Sequence, residues 1–305
     1  MPYADAVFEG GGIKALGLIG ALCYLEKKGY KFENVAGTSA GAIIAALVSA
    51  GYKGEEMKEL MRDISYNSFN DKSANKFTII KLINFIRFKG VYSGDAIEKL
   101  IYNLLKKKGK VKFKDVWGES SSKLKIIATD ITKKDMLILP DDLKRYNIDP
   151  KEFEIARAVR MSIGIPFVFK PIEFKYGNNC SYVVDGGILS NFPIWIFDVK
   201  SKPKWPTFGF QLQENKPANT FIGKKDLISY TLDVISTLLD RNEMRYIRDK
   251  DMVRTISIPT LGVKTTEFNL SNEKKLKLYN SGYLAAEKFI GKWDFDRYLR
   301  LYRSK

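Results

Sequence analysis

A chain of 305 residues with 45% hydrophobic side chains has the apolar volume for one large domain or two small ones, which excludes a disordered polypeptide. Fifty-one Lys and Arg against 35 Asp and Glu set a formal charge of +16, which selects anionic partners (nucleic acid, phospholipid headgroups, acidic metabolites), although a lysine-rich composition alone gives the same sum. With no histidine, and with Cys23 and Cys180 far apart and outside any CxxC spacing, neither a disulfide framework nor a zinc site is expected.

The first residues, MPYADAVFEGGG, have no basic segment ahead of an apolar one and do not read as a signal peptide. DAVFEG is a run of strand length, and KALGLIGALCYLEKKG after it has helical period. The pair repeats as NVAGTS and AGAIIAALVSAG. The apolar stretch Ala40 to Ala50 is too short to span a bilayer, so a soluble, cytoplasmic protein is expected, with peripheral contact at the inner membrane surface left open. In FTIIKLINFIRFKG, residues 77–90, the polar Thr78, Lys81, Asn84 and Arg87 fall three apart in an otherwise apolar stretch, the pattern of a buried helix or of one docked on lipid. LLKKKGKVKFK, from Leu104, ends a helical pattern in lysines, which suit a helix C-terminus without any ligand.

Further runs of strand length are KLKIIATDI, DMLILP, IEFKY, SYVVDGG, TFGFQL and MVRTISIP, and helical patterns return near Lys224 to Asn242 and Glu273 to Lys292. The alternation predicts an α/β sheet covered by helices on both faces. No repeat, low-complexity tract or linker divides the chain, so residues 1–200 are read as a core that 201–305 continue within one domain.

Chemistry concentrates in three places. Gly10, Gly11 and Gly12 follow the first predicted strand and open the first predicted helix, where unpaired backbone N–H groups collect and negative charge is favoured. One reading is a dinucleotide site, because Gly10, Gly12 and Ala15 fit G-x-G-x-x-G/A and Glu33 lies near the spacing of a ribose-binding acid. The other makes those amides an oxyanion hole for an attacked carbonyl. The next strand favours the second reading, since it runs through Val35 into Gly37-Thr38-Ser39-Ala40-Gly41, and strand, tight turn and helix are the context of a nucleophile elbow.

A serine nucleophile needs a base, and histidine is absent. The residue three after Ser39 is Ala42, so the S-x-x-K arrangement is missing and a carboxylate is the leading candidate. Asp185 closes the apolar run SYVVDGG and leads into Gly186 and Gly187, which would project it from a strand end into a cleft; Asp-Gly is also an ordinary turn signal. A free aspartate, with a pKa of about 3.9, is a poor acceptor of a serine proton unless burial raises it or the oxyanion hole carries much of the stabilisation.

GGGIKALG at 10–17, GTSAGA at 37–42, ARAVRMSIGIPFVFKP at 156–171 and DGGILSNFP at 185–193, taken in order, resemble the patatin-like phospholipase family. The resemblance implies a three-layer α/β/α sandwich around a central, mostly parallel sheet, and hydrolysis of lipid acyl esters by a Ser–Asp dyad without histidine or calcium. On that pattern Ser39 is the nucleophile, Asp185 its partner and Gly10, Gly11 and Gly12 the oxyanion loop, with Lys14, Gly37, Gly41, Gly186 and Gly187 supporting the loop and elbow. The family loop commonly reads Gly-Gly-Gly-x-Arg-Gly; here Lys14 and Ala15 stand in the last two places, and lysine lacks the guanidinium's forked donors. Nothing specific is recognisable after about residue 200.

The expectation is a serine lipid acyl hydrolase of phospholipase A or lysophospholipase type, with no metal or cofactor, a phospholipid or other acyl-lipid substrate, and transient membrane contact. No nucleic acid partner is expected, and an activator is conceivable because some members of that family are effectors switched on by a partner. The alternatives are an acyltransferase or thioesterase on the same fold, or a non-catalytic lipid- or nucleotide-binding protein.

Overall fold

Alternation along Tyr3–Phe8 (β1) sends Ala4, Ala6 and Phe8 into the main core and Val7 into a smaller cluster on the opposite face. The computed structural model describes residues 2–63, 90–214, 248–263 and 270–303, with the isolated positions 234 and 237. After β1 come α1 (Ala15–Lys27), β2 (Lys31–Thr38), α2 (Ala40–Ser49), α3 (Gly54–Asp63), β3 (Gly90–Tyr92) and α4 (Asp95–Lys107). The chain continues through β4 (Leu124–Asp130), β5 (Asp135–Leu139), α5 (Ile155–Ser162), β6 (Phe167–Phe169), β7 (Ile172–Tyr176) and β8 (Asn179–Asp185). It closes with β9 (Thr207–Gln213), β10 (Thr255–Pro259), α6 (Asn272–Ile290) and α7 (Phe295–Tyr302). The expected strands and the helix near 273–292 are therefore present. The stretch 77–89 and the helix expected near Lys224 to Asn242 lie outside the described residues, apart from positions 234 and 237.

The main sheet runs β10-β9-β1-β2-β4-β8-β7, with β5 also on β4, and helices flank it. From β10 to β4 every pairing is parallel, but β5, β8 and β7 are antiparallel, so the sheet is mixed. Helices α1, α2, α5 and α6 share the main core with Ala4, Ala6, Phe8, Phe208 and Phe210. On the opposite face, Val7 and Ala36 pack on Phe192 and Ile194.

Strand β4 has an unusual edge. β5 pairs with it from Ile126 to Asp130, which occupies one side, and the other side is divided. β2 takes Leu124 to Ile127 in parallel, ending at Thr38 opposite Ile127, and β8 takes Ala128 to Asp130 antiparallel, ending at Asp185 opposite Ala128. Two strands of opposite direction thus meet end to end along one side of β4.

The C-terminal part is built into this core. A Cβ on Gly20 would lie 1.9 Å from the Tyr279 carbonyl oxygen, and one on Gly282 would lie 1.8 Å from that of Gly17. α1 and α6 therefore touch backbone to backbone, and Phe208 of β9 is enclosed by Phe289 and Trp293.

Candidate active site

Everything at the site follows from how β2 ends. Ser39 has φ 53 and ψ −123, a strained conformation for a residue with a side chain, of the kind that accumulates at functional sites. The turn into α2 brings Gly41 against β1, where a Cβ would lie 2.3 Å from the Phe8 carbonyl oxygen, so only glycine fits. Gly37, two residues before Ser39, is still in the sheet opposite Phe8 and Ile126.

Because β2 and β8 meet end to end, Ser39 and Asp185 come together across 146 positions of sequence, and Ser39 Oγ donates to Asp185 Oδ2 at 2.6 Å. The other carboxylate oxygen, Oδ1, accepts the Gly187 N–H at 2.8 Å, within the turn that Gly186 and Gly187 begin. Asp185 is fully buried and Ser39 is 8% exposed. Burial pushes the Asp185 carboxyl from 3.8 up to about 7, against the pull of the Ser39 and Gly187 hydrogen bonds.

The glycine loop lies beside Ser39: a Cβ on Gly10 would be 3.1 Å from that of Ser39. Gly10 differs from its expected part. Its N–H donates to the Asn191 carbonyl at 3.2 Å and is committed to the protein. Gly11 accepts the Lys14 N–H, and Gly12 has φ 56, a left-handed conformation natural to glycine. Lys14 is 3% exposed and its Nζ meets Glu214 Oε1 at 2.7 Å, which ties the start of α1 to the end of β9.

Glu33, the acid of the dinucleotide reading, sits early in β2, far from the strand's C-terminal end, and pairs with Lys123. It does not share a site with the glycine loop. Three lysines of the 104–114 stretch are also engaged: Lys108 with Glu56, and Lys112 and Lys114 with Glu152.

Several site residues had no role assigned from sequence. Asn191 Nδ2 donates to the Gly10 carbonyl at 3.2 Å, and Thr38 Oγ1 donates to the Ser190 carbonyl at 3.1 Å. Ser162, at the end of α5, accepts the Ser39 N–H at 2.8 Å. Asn191 and Ser162 fall within two of the motif stretches quoted above; what sequence lacked was any sign of their partners. A groove of about 630 Å³ beside β10 and α6, lined by Val253, Leu261, Leu284, Phe289 and Trp293 among others, includes none of these site residues.

Comparison with known proteins bears on the family and the fold. The family model described as patatin-like phospholipase matches residues 6–198. An uncharacterised protein of Bacillus subtilis, YqhO, is 38% identical over 299 residues, covering 96% of this chain and 100% of that one. Probable lipid hydrolase 463L of invertebrate iridescent virus 6 is 30% identical over 195 residues, 63% of this chain and 62% of the relative. Among solved structures, VipD from Legionella pneumophila superposes with a TM-score of 0.58 at 16% identity, over 95% of this chain and 67% of VipD. ExoU in the ExoU–SpcU complex of Pseudomonas aeruginosa does so with a TM-score of 0.54 at 17% identity, over 95% of this chain and 52% of that one, and at such identities the likeness is one of fold. The family model spans well over half of the chain, from β1 past Asp185, and on that ground the chain belongs to the patatin-like phospholipase family.

Proposed function

We propose that this protein is a serine lipid acyl hydrolase of phospholipase A or lysophospholipase type, working through a Ser39–Asp185 dyad and an acyl-enzyme. The observation that carries the reading is the 2.6 Å contact between Ser39 Oγ and the fully buried Asp185 carboxylate. Family membership and the probable lipid hydrolase among its relatives support a lipid ester as substrate.

With its pKa near 7, Asp185 is a competent base at neutral pH, which an ordinary aspartate is not. It takes the Ser39 proton on Oδ2 as Oγ forms a bond to the ester carbonyl carbon, and the carbonyl oxygen becomes an oxyanion. The amides of Gly11 and Gly12 are the loop's donors to that oxygen, while Gly10 holds the loop in place. Collapse breaks the bond to the leaving alcohol, which receives the proton from Asp185 and leaves an acyl-Ser39. Asp185 then takes a proton from water, hydroxide adds to the acyl carbon, and the fatty acid departs as Ser39 is reprotonated. Each proton transfer is accounted for by these two side chains, so the reading assigns no metal or cofactor.

A net charge of +16 suits approach to an anionic lipid surface, and the reading places the protein in the cytoplasm with transient contact at the inner membrane face. The test is fatty-acid release from defined phospholipid vesicles, with excess chelator, by the wild type, Ser39→Ala and Asp185→Asn. Both variants are expected to lose activity by about 10³-fold or more while remaining folded. Undiminished release by Ser39→Ala would overturn the dyad.

A further inference from the structure

Along the β2–β4 edge the parallel ladder advances two residues at a time, beginning with the Val35 N–H donating to the Lys123 carbonyl at 2.8 Å. Continued through Gly37, that pattern brings the Ser39 N–H opposite the Ile127 carbonyl, as the last rung before the chain turns into α2. The rung is not closed directly. Ser162 Oγ stands in it, accepting from the Ser39 N–H at 2.8 Å and donating to the Ile127 carbonyl at 2.5 Å. Ser162 is fully buried, and its helix, α5, packs on both β4 and β8.

We propose that Ser162 is a positioning residue for the nucleophile, its hydroxyl acting as an inserted rung that holds the elbow away from β4 and so sets Ser39 against Asp185; this rests on the dyad reading above. A direct rung would draw the Ser39 amide about 2 Å nearer β4, whereas a hydroxyl that both accepts and donates keeps the strands parted and both backbone groups satisfied. The site needs this because Asp185 enters from the end of β8 on the same side of β4, opposite Ala128, one residue past the point where β2 stops. Ser162 also consumes the Ser39 N–H, which removes that amide from the oxyanion donors and leaves that task to the glycine loop.

Without the hydroxyl, the Ser39 amide either closes on Ile127 or is left without a partner in a buried site, and in both cases Oγ loses its fixed place beside Asp185. A fluorophosphonate that titrates reactive Ser39 separates positioning from folding, because turnover is then expressed per labelled site. In Ser162→Ala, kcat per labelled site should fall about ten- to a hundredfold with KM within about twofold of wild type. Ser162→Cys, whose thiol is a weaker donor and acceptor in the same place, should fall between the two and supplies the result if the alanine variant does not fold. A lower fraction of labelled sites with unchanged kcat per site would assign Ser162 to stability alone and overturn the proposal. Failure of the dyad reading looks different: the wild type would not label at Ser39, and Ser39→Ala would keep its activity.

Discussion

Gly10 and Asn191 exchange two hydrogen bonds, the Gly10 N–H to the Asn191 carbonyl and Asn191 Nδ2 to the Gly10 carbonyl, each at 3.2 Å. The loop after β1 is thereby fastened to the loop after Asp185, although 181 positions separate them. Asn191→Ala removes the side-chain half of this exchange and loosens Gly11 and Gly12 from Ser39. The expected result is a kcat lowered by about tenfold with little change in KM, measured on vesicles of one lipid. Asn191→Asp should do worse, since a carboxylate oxygen would then face the Gly10 carbonyl. Equal activity in all three proteins would remove Asn191 from the account of the loop.

The acid's titration predicts a pH profile. In the proposed dyad Asp185 accepts the Ser39 proton only when ionised, and burial raises its pKa to about 7. The kcat/KM for a soluble ester should therefore rise with pH through a single ionisation near 7, well above the ordinary carboxylate range. A profile already flat above pH 5 would mean that Asp185 is ionised too readily to be the buried base.

The same ionisation predicts a stability trend of definite sign. Between the unfolded value of 3.8 and the folded value of about 7, the native protein holds a proton that the unfolded chain has released, so stability falls as pH rises through that window. Asp185→Asn lacks the ionisation. Its melting temperature should match the wild type near pH 4 and exceed it by several degrees at pH 8, as read by calorimetry. A gap that stays constant across that range would contradict a buried, titrating Asp185.

At the contact of α1 with α6, Gly282→Ala would place a carbon 1.8 Å from the Gly17 carbonyl oxygen. Backbone has to move to accept it, and the expected cost is about 3 kcal/mol or more. Denaturant unfolding should show a lower midpoint. Leu284→Ala, on the same helix but 59% exposed, is the control and should change stability by under about 1 kcal/mol.

Much of this site could be read from residue order because its parts are local. Gly37 to Gly41 carry the elbow, the apolar run before Asp185 carries a strand, and the glycines after β1 carry a loop beside a helix start. What escaped reading depends on partners far away in sequence. Period-two alternation is the same for parallel and antiparallel strands, so the reversed direction of β8 and its end-to-end meeting with β2 left no mark in SYVVDGG. The contact of Gly282 with Gly17 has no local signature, so the docking of α6 on α1 could not be read although the helix near Glu273 to Lys292 could. The Gly10 amide appeared available for an oxyanion because the Asn191 carbonyl that occupies it cannot be foreseen from GGGIKALG.

Strand β4 works as a ruler for the candidate active site. The places of Ser39 and Asp185 are both counted from it, one from Ile127 and the other from Ala128. A slip of one residue in either strand would shift its member of the pair by about 3.3 Å and turn its side chain to the other face. Length added at the exposed turn of Gly177 and Asn178, between β7 and β8, by contrast, lies off the scale, because it alters neither the pairing of β8 with β4 nor the place of Ser162. Insertions can therefore be accepted at that turn while the distance between hydroxyl and carboxylate keeps its value.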